Sequence, residues 1–326
     1  MSQTKHLERV AIVGASGRIG GAFAEELLKT GKHTVTAITR PESQGTLPEG
    51  VKAVQVNYDD EESIVSALKG QEFLIITLSV TAPAEVHTKL VKAAGKAGVP
   101  YIMPNVYGLD IENKALCGSH PYAAQALQKL AEVESVGASY VVLVCGYWYE
   151  WSLALGEPWF GFEIKKRTVT FFDDGKTRIN GSTWPQCGRA LAALLSLPES
   201  GSSPSLSDWK NKPLYIDSFK FSQRDILDSL HRVLGTTDKD WEITYQPTDE
   251  RFKEGLEELK QGERRGLAKA MYARVFFPNG DGDYESNRGL ANDVLGLKKD
   301  DLDESTKRAV EMVEAGWSPF IPQVKF

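Results

Sequence analysis

Cysteine is scarce. Cys117, Cys145 and Cys187 are the only three in 326 residues, they lie far apart, and none forms a CxxC pair. That excludes a disulfide framework and a thiolate zinc site, and it fits reduced structural thiols. Five scattered histidines give no metal-ligand spacing, so no metal is expected. No apolar run approaches the length of a membrane span, and the polar start Met-Ser-Gln-Thr-Lys-His has no signal-like apolar core, so a cytoplasmic protein without membrane contact is expected. Positive charge is not in excess. The net charge of −6 argues against nucleic acid as a direct partner. Internal repeats and low-complexity segments are also missing. Asn180-Gly181-Ser182 matches a glycosylation sequon, but without a secretory signal it reads as chance.

What is present begins with Arg9-Val10-Ala11-Ile12-Val13-Gly14-Ala15-Ser16-Gly17-Arg18-Ile19-Gly20. A short apolar strand runs into a glycine turn and then into the amphipathic stretch from Ala22 to Leu28. In a Gly-x-x-Gly-x-x-Gly turn, Gly14 permits the tight bend and Gly17 lets backbone approach a pyrophosphate. Gly20 lets the helix pack close on the sheet, with its N-terminal N–H groups facing the anion. Ser16, Arg18 and Ile19 belong to the same turn.

Strands then alternate with helices. Strands are expected at His33–Thr39, Val51–Val56, Phe73–Leu78, Pro100–Met103 and Ser139–Cys145, with helices between them at Glu61–Leu68, Pro83–Ala97 and from Tyr122 to Val136. This is the pattern of an α/β, doubly wound, Rossmann-type parallel sheet. The reading is a dinucleotide-binding domain over residues 1–150 and a smaller α/β substrate domain over 151–326. A segment around 183–198 is free to pack back on the first domain. In the second part, Arg167–Phe172 and Lys176–Asn180 read as a hairpin, Leu214–Phe219 as one strand, and Thr183 and Ser222 as helix N-caps.

Cofactor choice is read at the end of the second strand, Ile38-Thr39-Arg40-Pro41. A carboxylate there would hold the ribose 2′-hydroxyl of NAD. Arg40 instead suits the 2′-phosphate of NADP(H), and Arg18 adds a second positive charge. Asn57 after the third strand and Thr77-Leu78-Ser79 after the fourth complete the cofactor contacts legible by position.

Gly14–Gly20, Arg40, Asn57-Tyr58-Asp59-Asp60-Glu61-Glu62-Ser63 and Pro104-Asn105-Val106-Tyr107-Gly108 resemble the NmrA-like and isoflavone-reductase-like atypical short-chain dehydrogenases. Gly146-Tyr147-Trp148-Tyr149-Glu150-Trp151, Asp173-Asp174-Gly175 and Ser182-Thr183-Trp184-Pro185-Gln186 are similar to their fungal, CipA-like branch. The resemblance implies an NADP-binding Rossmann domain, a cleft against a smaller domain, and Pro104, Asn105 and Tyr147 among the cofactor contacts. It departs from the family twice. Pro-Ser-Glu-Phe-Gly of the relatives becomes Pro104-Asn105-Val106-Tyr107-Gly108, which replaces the acid by valine. The lysine of the superfamily's Tyr-x-x-x-Lys, and of the isoflavone-reductase helix, falls at Ala126.

Tyr122 is then the candidate proton donor, with Tyr107 and His120 as competitors. Lys129 lies seven residues beyond Tyr122, within about 20° of the same helix face. It either assists Tyr122 from a turn further on or is an ordinary exposed helix lysine. Tyr147, Trp148, Tyr149, Trp151, Trp159, Phe160 and Phe162 are seven aromatics in sixteen residues, starting just past a strand end where ligands sit. With Tyr107 and His120, Tyr147, Trp148, Tyr149, Trp151, Trp159 and Phe160 are the expected substrate contacts, though an interdomain core accounts for some of them.

The expectation is an NADPH-dependent reductase of a small aromatic, phenolic or unsaturated carbonyl compound in secondary metabolism, as a monomer or homodimer. A non-catalytic NADP(H)-sensing regulator and a cofactor-retaining isomerase or cyclase are the alternatives.

Overall fold

A computed structural model describes residues 5–79 and 82–318. The first half lays down β1 (Arg9–Val13), α1 (Arg18–Lys29), β2 (Thr34–Thr39), β3 (Lys52–Gln55), α2 (Glu61–Leu68), β4 (Phe73–Ile76), α3 (Ala84–Ala97), β5 (Tyr101–Met103), α4 (Lys114–Cys117), α5 (Ala123–Ser135) and β6 (Ser139–Val144). The strands pair in parallel in the order β3-β2-β1-β4-β5-β6, so the chain reverses its winding direction between β1 and β4. From Val10 to Val13 β1 is apolar without a break because both of its faces are covered. Val10 and Ile12 join Phe23, Phe73 and Leu143 on one side, whereas Ala11 and Val13 join Ile64, Leu74 and Leu90 on the other.

The second half supplies β7 (Tyr147–Trp148), α6 (Tyr149–Ala154), α7 (Glu157–Phe160), β8 (Phe162–Glu163), β9 (Thr168–Phe172), β10 (Ile179–Ser182), α8 (Trp184–Leu195), β11 (Lys212–Tyr215), β12 (Phe219–Phe221), α9 (Gln223–Leu234), β13 (Glu242–Gln246), α10 (Thr248–Lys260), α11 (Arg264–Val275), α12 (Tyr284–Arg288) and α13 (Leu302–Glu314). Of these, β11 adds to the edge of the main sheet beside β6, making seven strands. The apolar face of α8, with Cys187, Leu191 and Leu194, shares a core cluster with Phe23 and Leu27 of α1. The main sheet therefore draws on residues well past 150.

Several local signals act as expected. The Thr183 side chain accepts from the Gln186 N–H at 3.1 Å, and Ser222 with Asp225 forms a reciprocal capping box. Two expectations are corrected. Segments 168–172 and 179–182 do not form a hairpin: β9 pairs with β8 and β13, and β10 with β7 and β12. The turn between them is held by its surroundings, since the Asp173 carboxylate accepts from the Thr248 N–H and hydroxyl and the Arg224 N–H donates to the Gly175 carbonyl. Leu214–Phe219 is not one strand either. It breaks at buried Asp217, whose carboxylate accepts from Asn180, Asn292 and Lys299, and the chain changes sheets there. Asn180 of the sequon is buried in this network, which closes it to glycosylation.

Candidate functional site

The turn at the reversal point is built from close backbone contacts. Gly14 has φ +84, and a Cβ there would lie 2.2 Å from the Thr77 carbonyl oxygen; one on Gly20 would lie 2.3 Å from the Gly14 carbonyl oxygen. Helix α1 is thus drawn tight against β1 and β4, while the Thr77 hydroxyl donates to the Val13 carbonyl at 2.7 Å. Ser16 and Gly17 are exposed, Gly17 is the N-cap, no side chain caps the helix, and its first turn carries no acid. An uncapped helix start opening on a bare backbone turn is suited to a pyrophosphate. The segment after β2 reaches this turn, for a Cβ on Gly45 would lie 2.3 Å from Ser16 Oγ.

Arg40 stands exposed at the end of β2, its guanidinium 3.3 Å from the Glu42 carboxylate. Asn57 is exposed beyond β3, with its side-chain oxygen accepting from the Asp59 N–H. The Arg18 guanidinium packs on two indoles, 5.3 Å from the Trp184 ring centre and 4.5 Å from that of Trp317. Leu78, Pro104 and Asn105 meet at the next strand ends, where the Asn105 amide donates to the Leu78 carbonyl at 3.3 Å. Ile19 is buried against the sheet and Ser79 is exposed beyond β4.

Two of the catalytic candidates, Tyr122 and Lys129, converge on one carbonyl. The Tyr122 hydroxyl donates to the Asn105 oxygen at 2.7 Å, and Lys129 Nζ donates to the same oxygen at 3.1 Å and to the Tyr122 hydroxyl at 2.9 Å. Lys129 is therefore no exposed helix lysine; it is buried at 8 % exposure. Burial pushes the Tyr122 hydroxyl up to about 12 and pulls the Lys129 ammonium down, the latter opposed by Glu132. Ala126 and Val106, the two departures from the family pattern, lie in one apolar cluster with Leu116, Val142 and Val144. A charge at either position would be unsolvated there.

Tyr107 donates to the Ile76 carbonyl at 2.8 Å, and burial holds its hydroxyl well above the ordinary tyrosine range. It is therefore committed to the sheet. His120 accepts at Nδ1 from the Tyr122 N–H at 3.3 Å, and its Nε2 stands 3.3 Å from the Tyr147 hydroxyl, which donates to the Met271 carbonyl. That assigns a neutral His120 protonated at Nε2, in keeping with a pKa pushed down to about 4 by burial and, next, by Arg274. Tyr107, His120, Tyr122 and Tyr147 line one cavity of about 40 Å³, closed on the far side by Met271 and Val275 of α11.

The aromatic band divides. Tyr149 and Phe160 are fully buried in the second core, where the Tyr149 hydroxyl is 2.7 Å from that of Thr306, so neither is a substrate contact in this arrangement. Trp159 packs on the same core. Trp148 and Trp151 pack with Trp184 beside Tyr107, away from the cavity lining. Of the band, Tyr147 alone lines the cavity. Sequence reasoning missed Met271 and Val275, which arrive from a helix more than a hundred residues downstream.

Residues 6–148 match the NmrA-like family. Along its length the chain is 28 % identical to oxidoreductase aprR of Aspergillus flavus over 301 residues, covering 91 % of this chain and 96 % of that one. Among solved structures, AtPrR2 with NADP+ and (+)pinoresinol superposes with a TM-score of 0.72 at 19 % identity, covering 93 % of this chain and 98 % of that one. The NADPH-dependent quinone oxidoreductase QOR2 of Escherichia coli, complexed with NADPH, does so at 0.67 and 22 %, covering 92 % and 99 %. At these identities the structural likeness speaks for the fold, which is the Rossmann-type architecture described above.

Proposed function

Because the chain belongs to the NmrA-like, isoflavone-reductase-like family, we propose that it is an NADPH-dependent reductase of a small aromatic or unsaturated carbonyl compound in secondary metabolism. The observation that carries the reading is the Tyr122–Lys129–Asn105 arrangement, a hydroxyl and an ammonium 2.9 Å apart beside a cavity at the strand ends.

NADP(H) fits the residues present. The open first turn of α1 with Ser16 and Gly17 would receive the pyrophosphate, and Arg40 the 2′-phosphate. When bound, NADPH supplies a hydride from its nicotinamide C4. This chain's residues supply the proton. Tyr122 holds it on the hydroxyl and delivers it to the substrate oxygen as negative charge develops there. The tyrosinate left behind faces the Lys129 ammonium, which lowers the cost of forming it. The Asn105 carbonyl fixes both groups at that point. The quinone oxidoreductase and the pinoresinol complex among the structural relatives support a small, ring-containing substrate. An apolar cavity that takes benzene measures about 150 Å³. The 40 Å³ here therefore requires Met271, Val275 or their neighbours to yield as substrate enters. The buried Tyr122–Lys129 pair favours turnover over a cofactor-sensing role.

The test is incubation with NADPH and a panel of quinones, enones and flavonoid-like compounds, followed at the NADPH absorbance. Turnover that falls by at least about a hundredfold in Tyr122→Phe is expected. Tight NADPH binding without turnover of any compound class would favour the sensing role, and an undiminished rate in Tyr122→Phe would remove Tyr122 as donor.

A further inference from the structure

Lys129 is a buried cation whose two hydrogen bonds go to neutral groups, the Asn105 carbonyl and the Tyr122 hydroxyl. A buried ammonium so placed is at risk of losing its proton, and a neutral amine would not stabilise a tyrosinate. A carboxylate stands close by. Glu132 is three residues along α5, one turn from Lys129 and on the same side of the helix. Its oxygens are held in place by helix α3. Glu132 Oε2 is 2.8 Å from His87 Nδ1, and Oε1 accepts from the Thr88 hydroxyl at 3.0 Å and from the Gln128 amide at 3.4 Å.

His87 is buried at 2 % exposure, and its Nε2 has no partner among the described residues. A proton on Nε2 would be a buried donor left unmade, so the proton belongs on Nδ1, directed at Glu132. Burial holds the imidazole neutral, with its pKa below the ordinary histidine value, and the nearby Lys129 charge pushes the same way against Glu132. The ring is therefore a neutral donor anchoring an anion. Among the described residues, the charged and titratable groups facing Lys129 are then Glu132 from α5, Tyr122 at its N-cap and His87 from α3.

We propose that Glu132, fixed by His87 and Thr88, is the counter-charge that keeps Lys129 protonated beside Tyr122, with His87 as a positioning residue two contacts removed from the reacting atoms. This rests on Lys129 serving Tyr122 as described above. It also accounts for how a lysine works from position 129 in place of 126: residue 129 is one helical turn from an anchored carboxylate.

The experiment reads Lys129 directly. Protein labelled with 13C-lysine is titrated by NMR, the Lys129 Cε signal being assigned by its loss in Lys129→Arg. Glu132→Gln, which keeps the shape, should lower the Lys129 midpoint by about one pH unit. His87→Leu should lower it by less, and His87→Gln, whose amide can still donate to Glu132, should restore it. The alkaline limb of kcat with an accepted quinone or enone should move down by the same interval in Glu132→Gln. An unmoved Lys129 midpoint in Glu132→Gln overturns the proposal. Full turnover in Lys129→Met would instead overturn the role of Lys129 in the reaction and leave the measured coupling standing, so the two failures are distinct.

Discussion

Lys129 places its ammonium 2.9 Å from the Tyr122 hydroxyl, across seven residues and two turns of α5. The superfamily's spacing brings lysine to tyrosine within one turn, and here the same meeting is made from the next. The longer reach is possible because Lys129 bends onto the Asn105 carbonyl, which the Tyr122 hydroxyl also contacts. Lys129→Met preserves the apolar stem and removes the charge. It should lower kcat by about a hundredfold to a thousandfold while NADPH affinity changes little, because the loss falls on the transition state. Steady-state kinetics together with a fluorescence titration of NADPH separate the two effects.

Restoring the family's lysine at its own position should fail. Ala126 is fully buried among Val106, Leu116, Val142 and Val144, none of which can pair with an ammonium. Ala126→Lys should therefore destabilise the fold by about 3 kcal/mol or more, through overpacking and an unpaired buried charge. In the Lys129→Met background it should not recover activity. Urea midpoints compared with the parent measure the first effect, and a stable, active double variant would refute the second.

Cofactor discrimination should rest on Arg40 and be held in check by its neighbour. The Arg40 guanidinium is shared with Glu42 at 3.3 Å, and both side chains are more than half exposed. Arg40→Ala should weaken NADPH binding about tenfold or more and leave NADH binding unaffected, with the NADPH effect shrinking in high salt. Glu42→Gln should tighten NADPH binding by several fold, since the phosphate no longer competes with a carboxylate. Equal affinity of the parent protein for NADH and NADPH would contradict the assignment of Arg40.

The glycine turn was readable from residues because its geometry is local. The tight packing at Gly14 and Gly20 and the strand-end position of Arg40 follow from spacing alone. The Tyr122–Lys129 contact was half readable. The seven-residue phase allowed Lys129 to reach Tyr122, but only tertiary packing shows that the α5 face is buried and that Glu132 is anchored by His87 from α3. The aromatic band was the least readable. An indole or phenol ring satisfies a core and a pocket equally well, and Tyr149 and Phe160 went to the core while Tyr147 went to the cavity. The supposed hairpin failed for a related reason: a turn signal at Asp173–Gly175 fixes the bend and leaves open which partners the flanking strands take.

Acid should destabilise the protein through His120 in a defined window. The folded protein keeps this imidazole neutral, its Nδ1 accepting from the Tyr122 N–H and its Nε2 directed at the Tyr147 hydroxyl. A proton on Nδ1 would set two donors against each other in a buried site beside Arg274. The folded pKa is accordingly about 4, whereas an unfolded histidine titrates near 6.5. Between those values the unfolded chain binds the proton and the native chain does not, so stability falls as pH falls from about 6.5 and the loss levels off near 4. The full interval corresponds to about 3 kcal/mol. His120→Gln removes the titrating group, and its amide can still offer one donor and one acceptor. The variant should be less stable than the parent at pH 7, and the gap should narrow on going to pH 4.5. Urea midpoints for both proteins at these two pH values measure the difference, which cancels the contributions of His33 and His87. A gap that stays constant or widens toward pH 4.5 would show that His120 is protonated in the native state, where its Nδ1 could no longer accept from the Tyr122 N–H.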